Sequence, residues 1–283
     1  MSLSDYSSKL EVVWHYLFRF LCALILLFLI GPVLVIIPLS FNVEPYFTFT
    51  SGMLAFDPDA FSLRWYRDFV NNTQWTHSLK NSFIIAIAST ILATILGTTA
   101  ALGLSQPHMP YRSAVMGVLI SPMIVPLIIS AAGMYFFYSK IGLDQTFLGI
   151  ILAHTALGTP FVVITVTATL VGFDNALTRA SANLGAPPTT TFYKITLPLI
   201  LPGVISGSLF AFITSFDEVV VVLFLAGFDQ RTIPRQMWAG IREQISPTIL
   251  AVATILVFIS ISMLSTLELL RRRSERIRGV LAD

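Results

Sequence analysis

Three chargeable side chains stand well away from the ends of long apolar stretches of this sequence: His154, and the adjacent pair Asp217 and Glu218 in Ser215-Phe216-Asp217-Glu218. A charge surrounded by hydrocarbon is costly unless it is paired or hydrated, so each of the three calls for an explanation. Two carboxylates there can contact a cationic substrate or gate its passage; equally, they can cap a broken helix or pair with a partner subunit. Counting residues as one continuous helix puts the pair roughly 14 Å of rise from the outer end of its run, near mid-membrane. Adjacent residues on a helix point about 100° apart, so at most one carboxylate need line a pathway. His154, beside Thr155 and Thr159, suits a proton relay or pore on one reading. On the other it simply hydrogen-bonds across a helix interface.

The elements that must position these groups follow from composition. The chain has 283 residues, 55% hydrophobic and 11% charged, and a mean hydropathy of +0.80, beyond the apolar share of an ordinary soluble domain. About 20 mostly apolar residues are needed to cross the hydrocarbon as a helix, where only intra-segment hydrogen bonds satisfy the backbone. Six segments qualify: 17–39, 82–104, 114–138, 147–171, 199–226 and 248–267. The expected fold is therefore an all-α integral membrane protein with six transmembrane helices, a single transmembrane domain over 1–283. The first run is too long for a signal-peptide core and is read as a retained span. Pro122 and Pro126 in the third run and Pro160 in the fourth disrupt helical hydrogen bonding, as membrane kinks or as the walls of a cavity.

Lysines and arginines collect on cytoplasmic flanks. An internal N-terminus places ten of them inside (Lys9, Arg19, Arg112, Arg179, Lys194, Arg271, Arg272, Arg273, Arg276, Arg278) and seven outside (Arg64, Arg67, Lys80, Lys140, Arg231, Arg235, Arg242). Both termini are then cytoplasmic. Tyr46, Trp65, Trp75, Tyr135, Tyr138 and Trp238 fall at the opposite face, where amphipathic rings suit the headgroup layer.

Other chemistries are excluded by motif. No G-x-x-x-x-G-K-[ST] loop, H-E-x-x-H pair or G-x-S-x-G elbow occurs, so neither nucleotide binding of the phosphate-loop kind nor hydrolase chemistry is expected of this chain. The lone Cys22 permits neither a disulfide framework nor a cysteine-ligated zinc site. A net charge of +2 without a long basic tract makes nucleic acid an unexpected partner, whereas the lipid bilayer is a required one.

One loop has a pattern of its own. Within 172–198, a helical pattern ends at Gly185, Pro187-Pro188 stops it, and a second short amphipathic stretch follows with Phe192 and Ile195. Short helices with exposed apolar side chains suggest a docking surface of the helix-in-groove kind. Ala180, Gly185, Ile195, Leu197 and Pro198 have the spacing of E-A-A, three residues, glycine, nine residues, I-x-L-P. In this the chain resembles the permeases of bacterial binding-protein-dependent ABC importers. It departs from the pattern at Arg179, where the family has glutamate, and at Ser181, where it has the second alanine. Ser215 to Val220, Thr232-Ile233-Pro234, Gln236-Met237-Trp238 and Ile245-Ser246-Pro247 are most similar to the second permease of spermidine/putrescine importers.

The resemblance implies a type I importer bundle in the bacterial inner membrane. Its implied partners are a second permease subunit, a cytoplasmic ATPase dimer that holds ATP and Mg, and a periplasmic substrate-binding protein. It implies no cofactor in this chain and no catalysis by it. Arg179, Ala180, Gly185, Ile195, Leu197 and Pro198 would form the ATPase coupling loop. Substrate would pass Asp217 or Glu218, with Tyr135 and Trp238 offering aromatic faces to ammonium groups. The alternative is a proton-coupled secondary transporter using His154 with Asp217 and Glu218, for which no internal repeat was found in the sequence.

Overall fold

The computed structural model describes residues 8–106, 108–243 and 246–277; Ile245 and Arg278, used above, lie outside these. In chain order the helices are α1 (Lys9–Leu39), α2 (Ser51–Leu54), a 3₁₀ turn (Pro58–Ala60), α3 (Arg64–Asn71), α4 (Thr73–Leu104), α5 (Arg112–Ile124), α6 (Leu127–Ile141), α7 (Phe147–Val171) and α8 (Ala176–Asn183). Then follow α9 (Pro188–Thr191), a π-helical turn (Phe192–Thr196), α10 (Leu197–Phe216), α11 (Val220–Leu225), α12 (Ile233–Glu243) and α13 (Thr248–Ile277). Among the described residues, five continuous helical segments are long and apolar enough to cross a membrane, and α5 with α6 forms a sixth candidate, bent by 101°.

That bend has a local cause. Pro126 lacks an amide hydrogen and disfavours helical geometry in the residue before it. Val125 accordingly turns to an extended conformation (φ −69°, ψ 133°) and ends α5. The run 114–138 is thus a broken span or a re-entrant loop instead of one straight helix. The run 199–226 is interrupted too: α10 stops at Phe216, and after three intervening residues α11 begins at Val220.

The described residues form two compact units, those within 1–71 with 244–258, and those within 72–243 with 259–283. In the first, a Ser8/Glu11 capping box starts α1, and a buried Asn42 organises the polar segment that follows. The Asn42 amide donates to the Tyr46 and Thr48 carbonyls (3.2 and 3.0 Å), and its own carbonyl accepts from the Trp65 indole at 2.7 Å. Thr248 Oγ1 donates to Asp68 Oδ2 at 2.6 Å. Trp65 is therefore a core ring of this unit, only 8% exposed, and Trp75 in the second unit is 6% exposed. Neither is the headgroup-layer ring expected from sequence.

The second unit is built on α4, α7 and α10, which pack against one another pairwise. Lipid tails are as apolar as leucine, so close packing rather than hydrophobic transfer must hold such helices together. Small residues at every fourth position of α10 (Gly203, Gly207, Ala211, Ser215) permit it. A Cβ on Gly207 would lie 2.7 Å from Val162 Cα of α7. Ala93, Ala101, Val162, Val166, Ile200 and Ala211 fill this end of the interface. At the other end, Ile85, Ala131, Ile150, Leu157, Val221, Val222 and Leu225 join α6 and α11 to the same scaffold.

Candidate functional site

Helix α10 positions the acidic pair, and it separates the two carboxylates. Asp217 is the C-cap of α10, its amide donating to Ile213 O at 3.0 Å. Its side chain is exposed and makes no hydrogen bond or ion pair with any described residue. Glu218 is buried, 8% exposed, and its Oε1 accepts the Val221 amide at 2.9 Å. Glu218 thus satisfies a free donor at the start of α11, where the helix dipole favours negative charge. The continuous-helix geometry expected from sequence is replaced by a break, and with it the two residues acquire different work.

The same break concentrates negative potential at Asp217. The C-terminal end of a helix presents unpaired carbonyls and a partial negative charge, here at the end of a 20-residue helix. The preceding residue, Phe216, belongs to an aromatic cluster: Phe212 stacks on Phe216 (centroids 5.5 Å, planes 15° apart), and Phe83 of α4 packs on Phe216 at 5.2 Å. A carboxylate, free carbonyls and aromatic faces are the elements that hold an organic ammonium ion. Phe83 has no distinguishing signal in the sequence, whereas Phe212 has its i, i+4 spacing to Phe216.

His154 is fully enclosed between helices. Its Nδ1 lies 2.7 Å from Ser215 Oγ, which in turn accepts from Ser89 Oγ at 3.0 Å. Nε2 has no partner among the described residues. This is a bridge joining α7, α10 and α4 two residues before Asp217, the interhelical reading of this histidine.

Tyr135, on α6, and Trp238, on α12, are both partly exposed, and no hydrogen bond or ring contact joins either to Asp217 or Glu218 among the described residues. Trp238 lines a pocket of about 370 Å³ with Leu223, Arg231, Arg235, Ala239 and Arg242. Three guanidinium groups around that ring oppose an ammonium ion there.

The loop 172–198 folds as two short helices joined by a tight reversal. Gly185 has φ +79°, with Gly185 N donating to Ala182 O (2.9 Å) and Ala186 N to Ser181 O (3.1 Å). These are the two bonds of a Schellman cap, which needs a left-handed residue at this position. Ser181 Oγ and Thr191 Oγ1 lie 2.8 Å apart and pin α8 to α9, giving a local reason for serine here. Pro198 cannot donate a backbone hydrogen bond, and the chain enters α10 through the π-helical turn, with Leu197 N bonded to Phe192 O. Ile195 and Leu197 are half-buried, the latter against the α4–α7–α10 core. Arg179, Ala180 and Pro198 are exposed, and Leu184 is 88% exposed. Between the helices runs a groove of about 470 Å³ lined by Thr178, Ala182, Gly185, Ala186, Pro188, Thr191, Phe192 and Thr196.

Comparison with known proteins agrees with this arrangement. Residues 93–276 match the family described as binding-protein-dependent transport system inner membrane component. The spermidine/putrescine transport system permease protein PotC of Haemophilus influenzae is 31% identical, over 86% of this chain and 91% of its own length. A bacterial ABC transporter involved in import of the acidic polysaccharide alginate has a chain of the same fold, with TM-score 0.73 at 14% identity, covering 94% of this chain and 99% of that one. A bacterial alginate ABC transporter in complex with a pentasaccharide-bound periplasmic protein gives TM-score 0.66 at 17% identity, over 95% and 96%.

Proposed function

Because the chain belongs to the family of binding-protein-dependent transport system inner membrane components, we propose that it is the permease subunit through which a polyamine, putrescine or spermidine, enters the cell. The observation that carries the substrate class is Asp217, exposed and unpaired at the end of α10 beside the Phe83–Phe212–Phe216 cluster. PotC, 31% identical, has spermidine and putrescine in its name, which supports the same reading. The family also displaces the proton-coupled alternative, and His154 is left with its helix-bridging role.

In this proposal the chain lies in the bacterial inner membrane with both termini cytoplasmic and pairs with a second permease subunit. A periplasmic binding protein delivers substrate, and a cytoplasmic ATPase dimer, holding ATP and Mg, seats the loop of Arg179, Ala180, Gly185, Ile195, Leu197 and Pro198. ATP-driven closure of the ATPase moves α8 and α9 and opens the permease pair outward; hydrolysis resets it. A ligand shifts such an equilibrium only through unequal affinity for its two states. Asp217 therefore contacts the substrate ammonium in one state more than in the other. Tyr135 remains a candidate wall of the route, whereas the arginines around Trp238 argue against that ring as an ammonium contact.

The test is ATP-dependent uptake of radiolabelled putrescine and spermidine by the reconstituted four-component complex. Saturable uptake of either supports the reading. A complex that hydrolyses ATP but takes up neither refutes the substrate class and leaves the family intact. The coupling loop is tested by Gly185→Val. A branched side chain at φ +79° costs roughly 1–2 kcal/mol or more, so uptake should fall sharply while the ATPase still turns over, and Gly185→Asn should retain most uptake. Equal uptake by Gly185→Val and the unmodified chain would refute the coupling role.

A further inference from the structure

The pocket of Arg231, Arg235, Trp238 and Arg242 is not used by the transport reading, and its construction is specific. From α4, three polar side chains hold the segment that enters it. His77 Nε2 lies 2.9 Å from Asp229 O, Asn81 Nδ2 donates to Asp229 O (2.7 Å) and Arg231 O (2.9 Å), and Ser82 Oγ accepts from Ile233 N at 2.8 Å. Arg231 is thereby fixed, its guanidinium 4.5 Å from the Phe228 ring centroid. Arg235 Nη1 donates to Ala226 O and Gly227 O at 2.7 and 2.9 Å, which orients the guanidinium and leaves its remaining N–H groups available. Arg235, Trp238, Ala239 and Arg242 recur at the i, i+3, i+4, i+7 spacing of one helix face. No carboxylate lines the pocket. Burial, and then the charge of Arg231, push the Arg235 guanidinium below its ordinary pKa, although arginine stays charged at neutral pH. Three positive charges with no carboxylate among the described lining residues form an incomplete site.

We propose that this pocket binds a phosphate-type anion, seated as the phosphodiester headgroup of an anionic phospholipid. Guanidinium forks match phosphate oxygens, and the pocket also has apolar walls, Leu223, Ala239 and the Trp238 ring. Phe228, whose ring packs against the Arg231 guanidinium, is itself exposed, which suits the boundary between headgroups and acyl chains better than open water. The site is distinct from Asp217 and does not depend on the polyamine reading.

The experiment reads Trp238 directly. The full chain is reconstituted in vesicles containing brominated phosphatidylglycerol or brominated phosphatidylcholine, and Trp238 emission is obtained by subtracting the Trp238→Phe variant. Quenching should reach half its maximum at an about fivefold lower mole fraction of the anionic lipid, the size of one basic contact at a lipid surface. Arg231→Gln and Arg242→Gln, neither of which removes the hydrogen bonds of Arg235, should each abolish most of that preference, and Lys140→Gln, outside the pocket, should leave it. Competition by millimolar inorganic phosphate would support the same oxyanion chemistry with dissolved phosphate as its source. No competition supports the lipid. Equal quenching by the two lipids without any effect of phosphate, or an equal loss in Lys140→Gln, would overturn the proposal.

Discussion

Asp217→Asn should lower polyamine uptake by the reconstituted complex about ten- to hundredfold, the loss expected when a hydrogen bond to a charged group worth about 1.5–3 kcal/mol disappears from one conformational state. The variant should assemble normally, because the Asp217 side chain has no partner to lose among the described residues. Glu218 behaves oppositely. Its Oε1 accepts the Val221 amide, a bond that a glutamine oxygen can still accept, so Glu218→Gln should retain most uptake. Glu218→Ala removes the cap and should destabilise the chain by about 1 kcal/mol, seen as less folded protein recovered instead of as a weaker response to substrate. The discriminating readout is uptake per assembled complex. If Asp217→Asn transports as well as the unmodified chain while Glu218→Gln does not, the division of labour inferred from the helix break is wrong.

That division was not available from the sequence, and the reason is physical. Composition and run length are enough to identify membrane helices, because a bilayer demands about 20 apolar residues whatever their neighbours. The runs at 17–39, 82–104, 147–171 and 248–267 accordingly fall within α1, α4, α7 and α13. The loop was legible for a similar reason. Gly185 and Pro187-Pro188 are local backbone instructions, and the structure has its left-handed cap and helix restart at those positions. Breaks inside apolar runs are harder to read. Pro126 announces one at the α5–α6 bend, but nothing in Phe216-Asp217-Glu218-Val219 forces a helix to stop. There the decision is tertiary: α11 packs on α6 as well as on α7. Trp65 and Trp75 were misplaced for a related reason. A tryptophan beside an apolar run fits a headgroup layer or a packed core equally well, and only the hydrogen bond from Trp65 to Asn42 O decides for the core in its case. Phe83 reaches Phe216 from another helix, and sequence spacing contains no trace of such a contact.

Gly207→Leu should prevent recovery of folded chain from the membrane, whereas Gly117→Ala should be neutral or stabilise it by up to about 1 kcal/mol, the gain expected for alanine over glycine in a helix. The contrast rests on what each added Cβ would meet. At Gly117 there is nothing within 4 Å; at Gly207 the new atom would lie 2.7 Å from Val162 Cα and closer still to Thr165 Oγ1. Backbone cannot yield as a flexible side chain can, so α10 would have to move away from α7. That movement would also pull Ser215 from His154 and loosen the end of α10 where Asp217 sits. Gly207→Ala alone should cost about 1–3 kcal/mol by overpacking, measured as resistance of the purified chain to denaturing detergent. Thr165→Ala removes one of the two clashing neighbours and should return part of that loss, but not all, since Val162 Cα remains. Full stability of Gly207→Ala without the second change would mean that α7 and α10 are less tightly opposed than this packing requires. The positioning of the cation site by helix contact would then have to be abandoned.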